Sequence, residues 1–412
     1  MRTVMISTRL AALTGAAAVV FAVASGPATA SPGVGRPQLP AGGPGHWSQV
    51  TPNGTDTIAD IGLARGARGV LNVVWTSGGL SAGHAKIMDT PISSGGTVGR
   101  AAAVISGQYL LTDPDAVATS RRIYAIWNGI TRSAPPSLEG TFIASRPGSG
   151  GSWSAPAYVK PLTAIPDTSS SDSATMGADG KPWVAFSGTS SLAVDHFGQA
   201  AEHQLAPKNQ CCYYNAGLAV DGHSGATWIA YQSLINKHQG IYVQALANSG
   251  APSGSRRLLP GSETKGQTLV INQRVGITGR GHGRSGVYVA YESGYPITRG
   301  LDLLKLGAAR PLRLASFSAA RLLAGATVTA SPSGRLWAAW FDGDGTPPAL
   351  FARVSNASGG KFSAVIPVRL PAGTSAIWKV YISAQSTRLD VVALLTRNGK
   401  SAYWATQVRQ PK

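Results

Sequence analysis

Cysteine is nearly absent: two residues in 412, and the two are adjacent, Cys211 and Cys212. That excludes a fold stapled by a disulfide framework and a thiolate zinc site. Acid is also scarce, 18 Asp+Glu against 36 Lys+Arg, and only 13% of residues are charged, where soluble domains run near ~25%. The net charge of +18 therefore comes from missing acid and not from dense base. A basic arm for nucleic acid needs runs of Lys and Arg, which the chain lacks. Past the N-terminus no apolar stretch reaches the ~20 residues of a membrane span. The seven His are scattered, with no H-E-x-x-H or Cys/His cluster, phosphate-binding loop or nucleophile elbow, so no metal or cofactor is expected. What is present is apolar residues at 43%, with 51 Gly and 26 Pro. Glycine and proline stay below the roughly 25–30% of low-complexity chains. A turn-rich protein with a large core follows.

At the N-terminus, Arg2 and Arg9 flank the apolar run Leu10 to Ala24, followed by Ala28-Thr29-Ala30. This reads as a secretory signal peptide over residues 1–30, cleaved near Ala30. Residues 31–45 are rich in Pro and Gly and read as a flexible leader. The expectation is a secreted, extracellular protein without membrane insertion, a monomer, with its folded domain over 46–412.

A repeat organises that domain. Apolar segments ending in an aromatic recur as VLNVVW (to Trp75), RIYAIW (Trp127), KPWVAF (Phe186), ATWIAY (Tyr231), GVYVAY (Tyr291) and RLWAAW (Trp340), with a weaker copy ending at Leu395. Repeats near ~40–50 residues with several strands each signal propeller blades. Each copy follows a segment of small residues and a tight turn, and is followed by a third and often a fourth strand. The last repeat stops after its third strand, while HWSQV, from His46, is an orphan strand of the fourth type. If that strand completes the last blade, no sheet edge is left between the chain ends. The sequence thus predicts an all-β closed propeller of seven four-stranded blades, or six if the last copy is not a blade.

Two turns between third and fourth strands carry a family resemblance. Arg146 to Trp153 reads RPGSGGSW and Ser355 to Phe362 reads SNASGGKF. Both resemble degenerate Asp-boxes, S-x-D-x-G-x-x-W, of bacterial sialidase (neuraminidase)-like propellers, with Gly148 and Ala357 where the Asp would stand. Asp-boxes are structural clasps on the blade side away from the active site, so the resemblance implies the fold. The family's enzymes hold a carboxylate sugar with three Arg and use a Tyr/Glu pair plus an Asp. An early Arg-Ile-Pro segment usually supplies the first Arg; this chain has none, and its only early Arg-Pro, Arg36-Pro37, lies in the leader.

The ligand face of a propeller is built by loops leading into inner strands and loops leaving second strands, and its mouth is the expected site. On one inbound loop lies Cys211-Cys212-Tyr213-Tyr214-Asn215. In an exported protein the two cysteines are expected to be oxidised, here as a vicinal disulfide closing a strained eight-membered ring, although pairing between chains stays open. The rigid plate and the two Tyr, joined by Tyr295, suit one wall of a sugar pocket; the plain reading is a stiffened loop. Glu292 and Asp342 follow second strands, with Asn128, Ser187 and Gln232 at equivalent positions, which predicts a polar ring facing the mouth. Two such carboxylates can serve as acid and base of a glycosidase, or be ordinary turn residues.

Three functions remain: a non-catalytic binder of an extracellular carbohydrate or anionic cell-envelope polymer at the ring mouth, a sialidase-like glycoside hydrolase, and a protein-interaction scaffold. Arg256 to Arg321 holds eleven Lys+Arg against three acids. The reading places this basic sector beside Cys211–Asn215, as an attractive patch for an acidic polymer.

Overall fold

The computed structural model describes residues 46–411, apart from 56–59, 79–84, 112, 132–138, 162–170, 188–191, 200–202, 206–212, 234–238, 264–272, 282 and 295–297. The signal peptide, the leader, Cys211, Cys212 and Tyr295 lie outside the described residues. No described helix is long and apolar enough to cross a membrane.

The described chain is all strand and turn, arranged as seven four-stranded antiparallel blades in a ring. The inner strands, in order, are Ile61–Arg65, Asp115–Ala118, Ser171–Met176, Tyr213–Val220, Gly276–Gly279, Ala324–Ala330 and Thr374–Ala384. Each pairs with one of the predicted aromatic-ending strands; the weak seventh copy is the second strand, Arg388–Arg397, of blade seven. The aromatics go where blades meet: Trp127, Tyr231 and Tyr291 are fully buried and Trp75 and Trp340 nearly so. The blades pack sheet against sheet, so every core cluster draws on residues of neighbouring blades.

Ring closure follows the predicted route. Ser48–Gln49 forms the outer strand of blade seven, pairing with Lys400–Arg409 at Ser48↔Ala405 and Gln49↔Trp404. The seal extends beyond these two residues. Val50 N–H donates to Tyr403 O at 2.8 Å, Tyr403 N–H to Thr51 Oγ1 at 2.9 Å, and Trp47 Nε1 to Arg369 O at 2.7 Å. One join was not legible. The fourth strand of blade one, Ala102–Leu111, carries on past its own blade and pairs with Arg122–Thr131 of blade two at Leu110↔Ile130 and Leu111↔Gly129, merging the two blades into one sheet.

Small residues on the inner strands have a steric cause, since seven strands converge on one axis. A Cβ on Gly62 would run into the Ala116 backbone of blade two, and one on Gly217 into the Val275 carbonyl of blade five. The ring has two distinct faces. Inner strands start at one, the loop face, and end in tight hairpins at the other, the turn face. The two degenerate boxes lie at the turn face: Ser355 and Phe362 form a bridge, and Asn356 Oδ1 accepts the N–H groups of Gly360 and Lys361 at 3.0 and 3.3 Å.

Candidate functional site

At the loop-face end of the axis, charged side chains from four blades meet. Asp60 immediately precedes the inner strand of blade one, and Asp113 and Asp115 lie at the start of that of blade two. Arg274 precedes the inner strand of blade five, and Lys379 and Tyr381 sit two apart on that of blade seven, so they share one face. Arg274 is buried and spans the axis. Its Nη1 donates to Ile61 O at 3.0 Å and its Nη2 to Pro114 O at 2.9 Å; Nη1 lies 3.3 Å from Asp115 Oδ1, and Nε 3.8 Å from Asp60 Oδ2. Asp60 also accepts from Lys379 Nζ and from the Tyr381 hydroxyl. Burial opposes its ionisation, but Lys379, then Arg274 and these hydrogen bonds, outweigh it and hold the carboxyl below the usual range.

Asp113 behaves differently. Its Oδ2 accepts the Asp60 N–H at 2.8 Å. Desolvation, and then repulsion from the Asp60 carboxylate, push it up to about 7. Asp115 is spent on structure, accepting Ala116 N–H and Ala174 N–H at 2.7 Å each and thereby tying blade two to blade three.

Behind this cluster a channel of about 780 Å³ follows the axis, lined by all seven inner strands. It extends from Arg274 and Asp115 to the turns carrying Ala178, His223 and Gly281. Its lining mixes Gly and Ala with aliphatic residues such as Ile61, Leu218 and Ile382, and Ser173, Thr175, Thr278, Thr327 and Thr329 add hydroxyls. Among the described residues no group of His, Cys, Asp and Glu could hold a metal ion.

No protein-family model matches the chain, and no curated protein matches it in sequence. Similar solved structures include AofleA from Arthrobotrys oligospora, at 12% identity over 76% of this chain and 87% of that one, TM-score 0.44. The Aleuria aurantia lectin, a six-bladed propeller with fucose recognition, is at 12% identity over 70% and 89%, TM-score 0.43. A leech intramolecular trans-sialidase is at 9% identity over 92% and 70%, TM-score 0.44. Sialidases thus stand among the similar structures at the level of fold alone.

The residues singled out in the sequence fall as follows. Tyr213 and Tyr214 belong to the first residues of the blade-four inner strand and not to the loop before it, pairing with Ser233 and Gln232. The register then breaks, with Asn215 in the left-handed region at φ 54° and its carbonyl accepting the Val275 N–H of blade five at 2.8 Å. Glu292 and Asp342 end second strands of neighbouring blades at the loop face, but neither opens onto a mouth as a free carboxylate. Glu292 is 2% exposed, and burial pushes it up to about 8, although the N–H groups of Glu292 and Ala326 hydrogen-bond to it. Asp342 is gripped by Arg321, whose Nε lies 2.9 Å from both carboxylate oxygens and 3.7 Å from Asp344. Asn128 and Gln232 are buried too, and Thr141 Oγ1 donates to Asn128 Oδ1 at 2.9 Å. The polar residues at these ends therefore pack between blades in place of ringing the mouth. Sequence reasoning missed Asp60, Asp113, Arg274 and Lys379, because each is a lone polar residue on or beside an inner strand and partners are up to 321 residues apart.

Proposed function

We propose that this protein is an exported, non-catalytic propeller that binds a carbohydrate at its loop face. The wall is the segment Cys211–Asn215, with the two cysteines bridged and Tyr213 and Tyr214 beside them in sequence, and Tyr295 is a further candidate contact. The observation that carries this reading is the backbone at Asn215. A non-glycine residue in the left-handed region, at a break in strand register on the loop face, is the kind of strained backbone that collects at ligand sites. The state of the acids also argues for binding over hydrolysis. Burial pushes Glu292 up to about 8, and Asp342 is engaged in an ion pair with Arg321, so neither stands as an unengaged carboxylate at the mouth, as a glycosidase pair needs. The apolar run Leu10 to Ala24 with Ala28-Thr29-Ala30 behind it supports export.

The test is a glycan array probed with wild type and with Tyr213→Ala/Tyr214→Ala. The reading predicts a defined set of bound glycans whose signals fall about tenfold or more in the variant, as loss of aromatic stacking on a sugar face requires. Equal signals from both proteins contradict it.

A second reading, a sialidase-like hydrolase, has one observation in its favour. Asp113, pushed up to about 7 and accepting the Asp60 N–H, is placed as a proton donor at the axial cluster. Release of free sugar from an arrayed glycan decides for it.

A further inference from the structure

The basic stretch Arg256–Arg321 does not sit together beside Asn215. Arg299 and Arg321 are on strands ending or starting at the loop face, whereas Arg280, Arg284, Lys305 and Arg310 lie at hairpins of the turn face, the opposite end of the strands from Asn215. There they meet Arg335 and Lys361 of blade six. Four successive turns of blades five and six, over residues 280–286, 305–311, 331–335 and 355–365, thus carry six basic side chains and not one Asp or Glu.

Among the described residues, none of the six has a carboxylate partner. Instead, three of the four arginines are held by backbone oxygens of neighbouring turns. Arg280 Nε donates to Gly334 O at 3.2 Å and its Nη2 to Ala357 O, Arg284 Nη1 donates to Ser333 O, and Arg335 Nη1 to Ser355 O at 3.2 Å. Each guanidinium has five N–H donors, so these bonds fix its plane and leave other donors over. Lys305, Arg310 and Lys361 are exposed. The nearest turn acid, Asp221, is already spent: its carboxylate accepts the N–H groups of His223 and Ser224 at 2.9 Å and of Gly286 at 2.7 Å. Two aliphatic side chains, Leu312 at 38% and Val365 at 47% exposure, mark the turn-face ends of the outer strands of blades five and six.

We propose that the turn face of blades five and six is a docking surface for a linear acidic polysaccharide. Fixed guanidinium forks match planar carboxylates in a way that free ammonium groups do not. An acidic polysaccharide offers such groups at regular intervals together with apolar ring faces, which suits the pairing of basic turns with Leu312 and Val365. The described residues of these turns have no exposed aromatic to stack bases. They also lack the continuous apolar face that seats an amphipathic element in a lipid interface. The inference is independent of the loop-face reading, and Tyr213→Ala/Tyr214→Ala leaves it untouched.

The experiment is a biosensor titration of full-length protein on immobilised polygalacturonate, with duplex DNA and phosphatidylserine-containing vesicles as parallel surfaces. The sector variant is Lys305→Gln/Arg310→Gln/Lys361→Gln, which removes only exposed charges. The control is Arg257→Gln/Arg369→Gln/Lys400→Gln, equal in charge and placed elsewhere on the exposed surface. The proposal predicts that polygalacturonate binds best and that binding weakens with salt. The sector variant loses about tenfold or more in affinity and the control less than about twofold, as patch-specific attraction requires. Equal losses in both variants reduce the effect to net charge and overturn the docking surface. Tighter binding to DNA or vesicles, or no binding to polygalacturonate, overturns the polysaccharide.

Discussion

Arg274 shows how much of this ring rests on single charged residues. Buried at the axis, it satisfies two backbone carbonyls and balances Asp60 and Asp115 from two other blades. Arg274→Met keeps the apolar bulk but strands the acids, and breaking a buried pair this way costs about 3–5 kcal/mol. A drop of that size in the urea unfolding free energy is expected, against about 1 kcal/mol or less for Arg257→Met on the exposed surface. Glu292 makes the complementary case in pH. Its carboxyl is raised from 4.5 to about 8 in the folded protein. Below pH 4.5 both states hold the proton; above it the unfolded chain releases its proton first, so stability falls with rising pH until about 8, where the folded state also titrates. Glu292→Gln removes that slope. Unfolding free energies at pH 5 and pH 8 should therefore diverge, with the variant gaining on wild type by a few kcal/mol at pH 8. Parallel pH profiles would show that Glu292 titrates normally.

At the scale of elements, the closing strand is the most exposed weakness. Only Ser48 and Gln49 pair as a strand, so the seal depends on its flanks, chiefly on Trp47, 8% exposed and packed among Val368, Trp404 and their neighbours. Trp47→Ala should cost about 3–5 kcal/mol, as large aromatic truncations do. Because the loss lies at the ring's seam, amide exchange should rise first in Lys400–Arg409; protection there equal to wild type would contradict closure by this strand. This join was readable from the chain, because HWSQV repeats the Trp-Ser of Trp153-Ser154 outside any other blade. The extension of Ala102–Leu111 onto blade two was not, because strand pairing beyond a blade leaves no period in the sequence. Likewise, alternation and a terminal aromatic marked six of the seven second strands, yet could not show that Asn128, Gln232 and Glu292 turn between blades. The two acids were told apart only by Arg321, which reaches Asp342 from the preceding blade.

For the whole molecule, the repeat that made the fold legible is also why the sites were not. A ring brings residues 60, 113, 274 and 379 to one axis through topology, and no local spacing encodes that meeting. The scarcity of acid, by contrast, became a spatial fact. It leaves the turns of blades five and six purely basic while the loop-face end of the axis keeps its acids neutralised. As proposed, the two ends of one ring serve different ligands, the loop face a sugar and the turn face a polymeric anion. The most direct test of the central claim is calorimetric titration of the strongest array glycan into wild type and Tyr213→Ala/Tyr214→Ala at matched melting temperature. The account predicts one site per chain in wild type and affinity weakened about tenfold or more in the variant. Equal affinity and stoichiometry in the two proteins would contradict it.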